Sequence, residues 1–265
     1  MSPALPNLRI AIAQIPMHWT IQENVAAMCS AMRLARSAGA TLCTFSELAV
    51  TGFHRKIVEL AKADLMASAI QQITAAASEL RLAVAFGAPT FGAEGARYNS
   101  HVLVDERGVP VAAIHKNGLT APESTFFQAA TSRPAALLQG MATTAVICRE
   151  VEDHDLVVQQ LRASAARLVL WPGLMSPDPS KPVTDPPEHV VQAQRIASAT
   201  QAYVVQANWP NALNSPERSG DAGHSACISP QGVLLFRLPQ GEFGVGVFNL
   251  GESAFEWHAQ ACHTP

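Results

Sequence analysis

Charge is scarce in this sequence. Charged residues make up 15% of the 265, against 48% hydrophobic ones. The signs nearly balance, with 18 Lys and Arg against 21 Asp and Glu, for a formal net charge of −3. A chain so composed lacks the electrostatic footprint of a nucleic-acid binder. No Lys/Arg cluster accompanies an amphipathic stretch, which excludes anchoring at a membrane surface. No apolar run reaches the length of a bilayer span. The opening segment, MSPALPNLRIAIAQ, has no basic segment followed by a long apolar core, so no signal peptide is expected. Paired cysteines are missing too. Cys29, Cys43, Cys148, Cys227 and Cys262 are odd in number, widely spaced and without a CxxC or Cys/His pair of zinc-site spacing. Reduced thiols in a cytoplasmic protein are expected. No repeat, low-complexity tail or linker-like change of composition divides the chain, so residues 1–265 read as a single domain.

What the sequence does have is apolar, strand-like runs. LRIAIAQI and ATLCTFSE flank NVAAMCSAMRLARSAG, whose apolar positions recur at helical spacing before Gly39. That strand–helix–strand order implies parallel pairing with a helix on one face. IVELAKADLMASAIQQITAAASELR reads as one helical stretch, followed by the strand LAVAFGAPT. NSHVLVDERGVPVAAIHK and HSACISPQGVLLFRL read as hairpins, and AALLQGMATTAVIC as one or two strands. LVVQQLRASAA and EHVVQAQRIASATQ are helical, RLVLWPG and AYVVQANW are strands, and FGVGVFNL reads as the last strand. SPDPSKPVTDPP and PNALNSPERSGDAG are irregular loops. Parallel units and hairpins together predict a mixed sheet system sandwiched by helices.

Three strand ends carry chemistry. Glu47 follows the buried run Thr41–Phe45, where a carboxylate must be paired, hydrogen-bonded or functional. Lys116 follows VAAIH, with Glu123 in the loop beyond. Cys148 closes TTAVIC. Alone, each has an ordinary reading: a turn glutamate, a strand-end lysine with a solvated glutamate, a buried structural thiol. Position argues against the last, because the C-terminal edges of strands in α/β folds are where active-site groups collect. The acids after the thiol, Glu150, Glu152, Asp153 and Asp155, fall on the following turn and helix start, where they favour the helix N-terminus and can pair with Arg149.

Glu, Lys and Cys in this order and context resemble the nitrilase (carbon–nitrogen hydrolase) superfamily. IAIAQI resembles its first strand, FSELAVTGF its FPELxxTGY, IHKNGLTAPE its xxKxHL, and ICREVEDHD its ICYDxxFPE. ASAARLVLWPG, RIASATQAYVVQANW and GHSACISPQGVLL extend the resemblance over nearly the whole chain. The resemblance implies an α/β fold, a four-layer αββα sandwich with two mixed β-sheets packed between helices, commonly paired as a homodimer or larger homo-oligomer. It implies Glu47 as general base, Lys116 as oxyanion-stabilising cation, Cys148 as nucleophile and Glu123 as a second, positioning glutamate. No cofactor or metal is implied, and His18, His54, His115 and His224 read as structural or surface residues. This chain departs from the pattern at Ala130 for a glycine, Arg149 for an aromatic or Glu, Glu150 and Asp155 for Asp and Glu, and Asn249 for Asp.

The implied reaction hydrolyses a non-peptide C–N bond in a small amide through a Cys148 thioester. Thiolate attack, proton transfer by Glu47 and charge stabilisation by Lys116 supply what a poor electrophile demands. Arg149, Trp171 and Asn208 are candidate substrate-binding residues, with Trp209 and the loop to His224 as further pocket borders. Arg149 in the pocket would grip a carboxylate bidentately, favouring a carboxylate-bearing ω-amide. Three alternatives stay open: an N-carbamoyl (ureido) hydrolase, a catalytically silent binding or regulatory relative, and a redox-sensing thiol protein, although no resolving cysteine is near in sequence.

Overall fold

The computed structural model describes residues 8–175 and 184–260. The first half contains β1 (Arg9–Gln14), α1 (Ile21–Ser37), β2 (Leu42–Thr44), α2 (Ile57–Leu60), α3 (Ala63–Leu80), β3 (Ala83–Phe91), β4 (Arg97–Val104) and β5 (Pro110–His115). The second contains α4 (Ala121–Ser124), β6 (Ala136–Leu138), β7 (Met141–Ala145), α5 (His154–Ser164), β8 (Leu168–Gly173), α6 (Glu188–Thr200), β9 (Tyr203–Asn208), β10 (Ala226–Ile228), β11 (Leu234–Arg237), β12 (Gly244–Asn249) and β13 (Glu256–Ala259).

These strands form two sheets, ordered β13-β12-β1-β2-β3-β4-β5 and β11-β10-β9-β8-β7-β6. Both are mixed. β1, β2 and β3 are parallel, as are β7, β8 and β9, and hairpins supply the antiparallel strands. Strand residues alternate between two buried layers. Ile10, Ile12, Leu42, Ala85 and Leu103 of the first sheet meet Ala145, Leu168, Leu170 and Val205 of the second. Their neighbours in sequence point outward. Ala11, Cys43, Val84 and Val102 pack on Met28, Met32, Ile73 and Ala77 of α1 and α3. Val169 and Val204 pack on Val157, Leu161, Val190 and Ala193 of α5 and α6. The result is the four-layer αββα sandwich that the sequence implies.

Three elements differ from the sequence reading. The helical stretch from Ile57 breaks at Ala61 and Lys62, and Lys62 is extended (φ −110°, ψ 142°). The break separates two environments: α3 buries Met66, Ala69, Ile73 and Ala77, whereas α2 buries nothing. FGVGVFNL is not the last strand, because β13 pairs antiparallel with β12, Trp257 opposite Gly246. AALLQGMATTAVIC resolves into the hairpin β6–β7. Gln139 and Gly140 at its turn both have positive φ, 51° and 77°, as a two-residue turn matched to strand twist requires. Most of the Pro-rich loop from Pro177 to Pro187, up to residue 183, lies outside the described residues, as does Cys262.

Candidate active site

Past β2 the chain turns beneath β3 and presents Glu47. The turn is tight: Leu48 has φ 52°, and Gly87 of β3 leaves room that a side chain would take. A Cβ on Gly87 would stand 2.1 Å from the Leu48 nitrogen and 2.7 Å from the Glu47 carbonyl carbon. From the far end of β9, the Trp209 indole donates to the Glu47 backbone oxygen at 2.8 Å. The Glu47 side chain is fully buried. Its Oε1 accepts from Lys116 Nζ at 2.7 Å and from Asn99 Nδ2 at 2.8 Å. Its Oε2 has no hydrogen-bond partner among the described residues.

Lys116 leaves β5 and is 1% exposed. Its backbone N–H extends the β4–β5 ladder by donating to Asn99 O at 2.8 Å. Its ammonium also donates to both Glu123 oxygens, at 2.7 and 3.0 Å. Glu123 is fixed by a reciprocal cap on α4. The Thr120 hydroxyl accepts from Glu123 N at 3.3 Å, and Glu123 Oε2 accepts from Thr120 N at 2.9 Å. Asn99 Nδ2 reaches Glu123 Oε1 as well, at 3.0 Å. One amide thus spans both carboxylates, and one ammonium binds both.

The thiol comes from the opposite sheet. Cys148 opens a 3-10 turn that leads from β7 into α5, with φ 52°, a conformation uncommon outside glycine. The Trp171 indole donates to its carbonyl at 3.0 Å. Glu150 holds the turn. It accepts from the backbone N–H groups of Ile147 and Asn117 and forms a buried, two-pronged pair with Arg133, at 2.9 and 3.1 Å. Because Asn117 follows Lys116, Glu150 ties the lysine loop to the Cys148 turn.

The four ionisable groups shift one another. Burial, with Glu123 adding and Lys116 opposing, pushes the Glu47 carboxyl above the usual carboxylate range. Burial opposes ionisation of Glu123 too, but Lys116, the Thr120 N–H and Asn99 outweigh it and hold that carboxyl below its ordinary value. On Lys116, burial works against the charge, and Glu47, Cys148 and Glu123 overcome it, so the ammonium persists. Burial first, then Glu47, pushes the Cys148 thiol up to about 12, with Lys116 and the Leu174 N–H pulling down. The thiol therefore keeps its proton at rest, with the Glu47 charge among the groups that oppose its loss.

The structure gathers Glu47, Lys116, Glu123 and Cys148 at one place. The three candidate binding residues all make contacts within the fold. Trp171 lies in the helix-facing core, 1% exposed, with its indole donating to the Cys148 carbonyl. Asn208 spends its whole amide on the scaffold: Oδ1 accepts from Met175 N at 2.7 Å, and Nδ2 donates to Met175 O and Gly223 O at 2.6 and 2.7 Å. Arg149 is partly exposed and donates to Glu152 at 3.2 Å, to Leu119 O at 3.3 Å and to Asp153 at 3.5 Å. Of the four acids after the thiol, Glu152 and Asp153 pair with Arg149, whereas Glu150 pairs with Arg133 and Asp155 with His154. Asn99, Arg133 and the capping role of Glu123 were not anticipated. Only the cap has a local signal, the T-x-x-E of TAPE.

A family model described as carbon–nitrogen hydrolase matches residues 9–257. Among solved structures, an amidase from Nesterenkonia sp. has a TM-score of 0.77 at 23% identity, covering 94% of this chain and 93% of that one. A double mutant of the amidase from Nesterenkonia sp. AN1, in complex with acrylamide, has a TM-score of 0.78 at 23% identity, covering 96% and 94%. A mutant of the same enzyme, with the acetamide moiety of fluoroacetamide added covalently at the active site cysteine, has a TM-score of 0.79 at 23% identity, covering 94% and 92%. Among curated protein sequences none matches. With the family model spanning both sheets and all four gathered residues, the chain belongs to the carbon–nitrogen hydrolase family, in the nitrilase superfamily that its motifs resemble.

Proposed function

We propose that this protein is an amidase that cleaves a small amide through a Cys148 thioester, releasing ammonia or an amine. The observation that carries the reading is the free Glu47 Oε2, buried and without a partner among the described residues while Oε1 is held by Lys116 and Asn99. A buried carboxylate oxygen left open is costly unless it acts. In the proposed cycle Oε2 takes the Cys148 proton as sulfur attacks the amide carbon. Lys116 has three N–H donors and two carboxylate partners, so one donor can turn to the developing oxyanion. Collapse breaks the C–N bond, and Glu47 returns the proton to the departing nitrogen. Glu47 then takes a proton from water as it attacks the thioester, and gives it to the leaving sulfur. Glu123, held ionised, keeps Lys116 charged and disfavours a second negative charge on Glu47. The amidase neighbours, one a double mutant in complex with acrylamide and one with an acetamide moiety added at the active site cysteine, support amides as the substrate class. Arg149 pairs with Glu152 and Asp153, which a substrate carboxylate at that position would have to displace.

The test combines ammonia release with intact-mass analysis over a panel of small amides, ω-amides, carbamoyl amino acids and nitriles. Expected are ammonia from an amide and a trapped acyl mass on Cys148, both absent in Cys148→Ala. Turnover that survives Cys148→Ala refutes the scheme, and ammonia from carbamoyl amino acids alone makes the enzyme a ureido hydrolase.

A further inference from the structure

Beside the catalytic cluster lies a cavity of about 550 Å³, within the size range of small-molecule sites, about 300–1,000 Å³. Its apolar walls are Leu48, Phe53, Ile57, Val58, Phe126 and Phe127. Two connections join it to the chemistry. Glu123, hydrogen-bonded to Lys116, is part of its wall, and Leu48 adjoins Glu47 in the chain. Arg55 also lines it, but its guanidinium lies over the Trp19 ring, 5.3 Å from the centroid. One lip is formed by α2, which buries none of its residues in the fold. Val58 there is 57% exposed. Apolar side chains held out at a pocket rim gain most when something apolar covers them.

We infer that the substrate carries a sizeable apolar group, a longer or branched alkyl chain or an aromatic ring, and that this group lies in the cavity under the α2 lip. The inference rests on the amidase reading for its substrate, though not for the cavity itself. Acetamide would leave most of the space to water. Each methylene that enters should be worth about 0.8 kcal/mol, or about fourfold in kcat/KM or affinity, until the space is full.

Two measurements test this separately from the function. The first is kcat/KM along primary amides from acetamide to hexanamide and phenylacetamide, and along N-alkyl acetamides of the same sizes. The second is calorimetric binding of both series to Cys148→Ala, which does not depend on turnover. A rise of about fourfold per methylene, with increasingly negative heat-capacity change, is expected in one series, and that series tells whether the apolar group is on the acyl or the amine side. Val58→Asp and Phe126→Ala should flatten the gradient, lowering kcat/KM more for hexanamide than for acetamide. Turnover and affinity indifferent to size overturn the inference while the amidase reading stands. An affinity gradient without turnover of any amide leaves the cavity as inferred and removes the amidase reading. If Val58→Asp shifts the oligomeric state in ultracentrifugation and leaves the gradient intact, the lip is a contact between copies and the inference fails.

Discussion

Asn99 shows how much of the candidate site rests on a residue without reactivity of its own. Its amide donates to Glu47 and Glu123 at once and so fixes the two carboxylates relative to each other. Asn99→Leu should lower kcat about 10- to 100-fold, the worth of a hydrogen bond to a charged group. The Asn99 bond pulls the Glu47 pKa down. Its loss should therefore move the acid limb of kcat/KM to higher pH, a shift that a merely structural role would not produce. Glu47, Lys116 and Cys148 are legible in the sequence because each ends an apolar strand and their order is a family signature. Asn99 is not, since its partners are 52 and 24 positions away and nothing local marks it. Trp171 is the converse. Its neighbour Leu170 faces the opposite sheet and Trp171 faces the helices, yet both are buried. A strand covered on both faces gives no polar alternation to tell them apart.

Between residue and fold stands the strut formed by Arg133 and Glu150. It connects the crossover from β5 to β6 with the Cys148 turn, and both side chains are 1% exposed. Removing one partner of such a pair leaves a buried charge alone. Arg133→Met should cost about 3–5 kcal/mol in a urea titration. Activity should fall along with stability, because Glu150 holds both Ile147 N and Asn117 N. Helices and strands were largely legible, and their interruptions were not. The break at Ala61 and Lys62 has no proline or glycine to announce it. It follows from α3 docking on the first sheet while α2 stays outside. The short edge strand β13, with no buried residue, was missed for lack of an apolar signal.

At the scale of the whole molecule, the sandwich encloses more than apolar groups. His101 of β4 is fully buried, and neither ring nitrogen has a partner among the described residues. Burial pushes its pKa down to about 3, and that of His189 down to about 4, from an ordinary 6.5. Between those values and 6.5 the unfolded chain binds protons that the folded chain refuses, so stability falls as pH falls through that window. His101→Leu should flatten the dependence of unfolding free energy on pH by one proton, about 1.4 kcal/mol per pH unit, between about pH 6 and pH 4. Denaturant titrations at stepped pH read this directly.

The pairing of β1 sets a condition on how the molecule can be made. Its ladder runs to β2 on one side and to β12 on the other, with Ile10 opposite Phe248. A ribosome delivers Ile10 long before its partner Phe248. Until then the nascent first sheet carries an open, apolar edge, the kind of edge that recruits foreign strands. Glu47, Lys116 and Cys148 have all emerged by that stage, but the sheet that carries two of them is still unfinished. The edge is closed only when residues 244–249 have arrived and paired with β1.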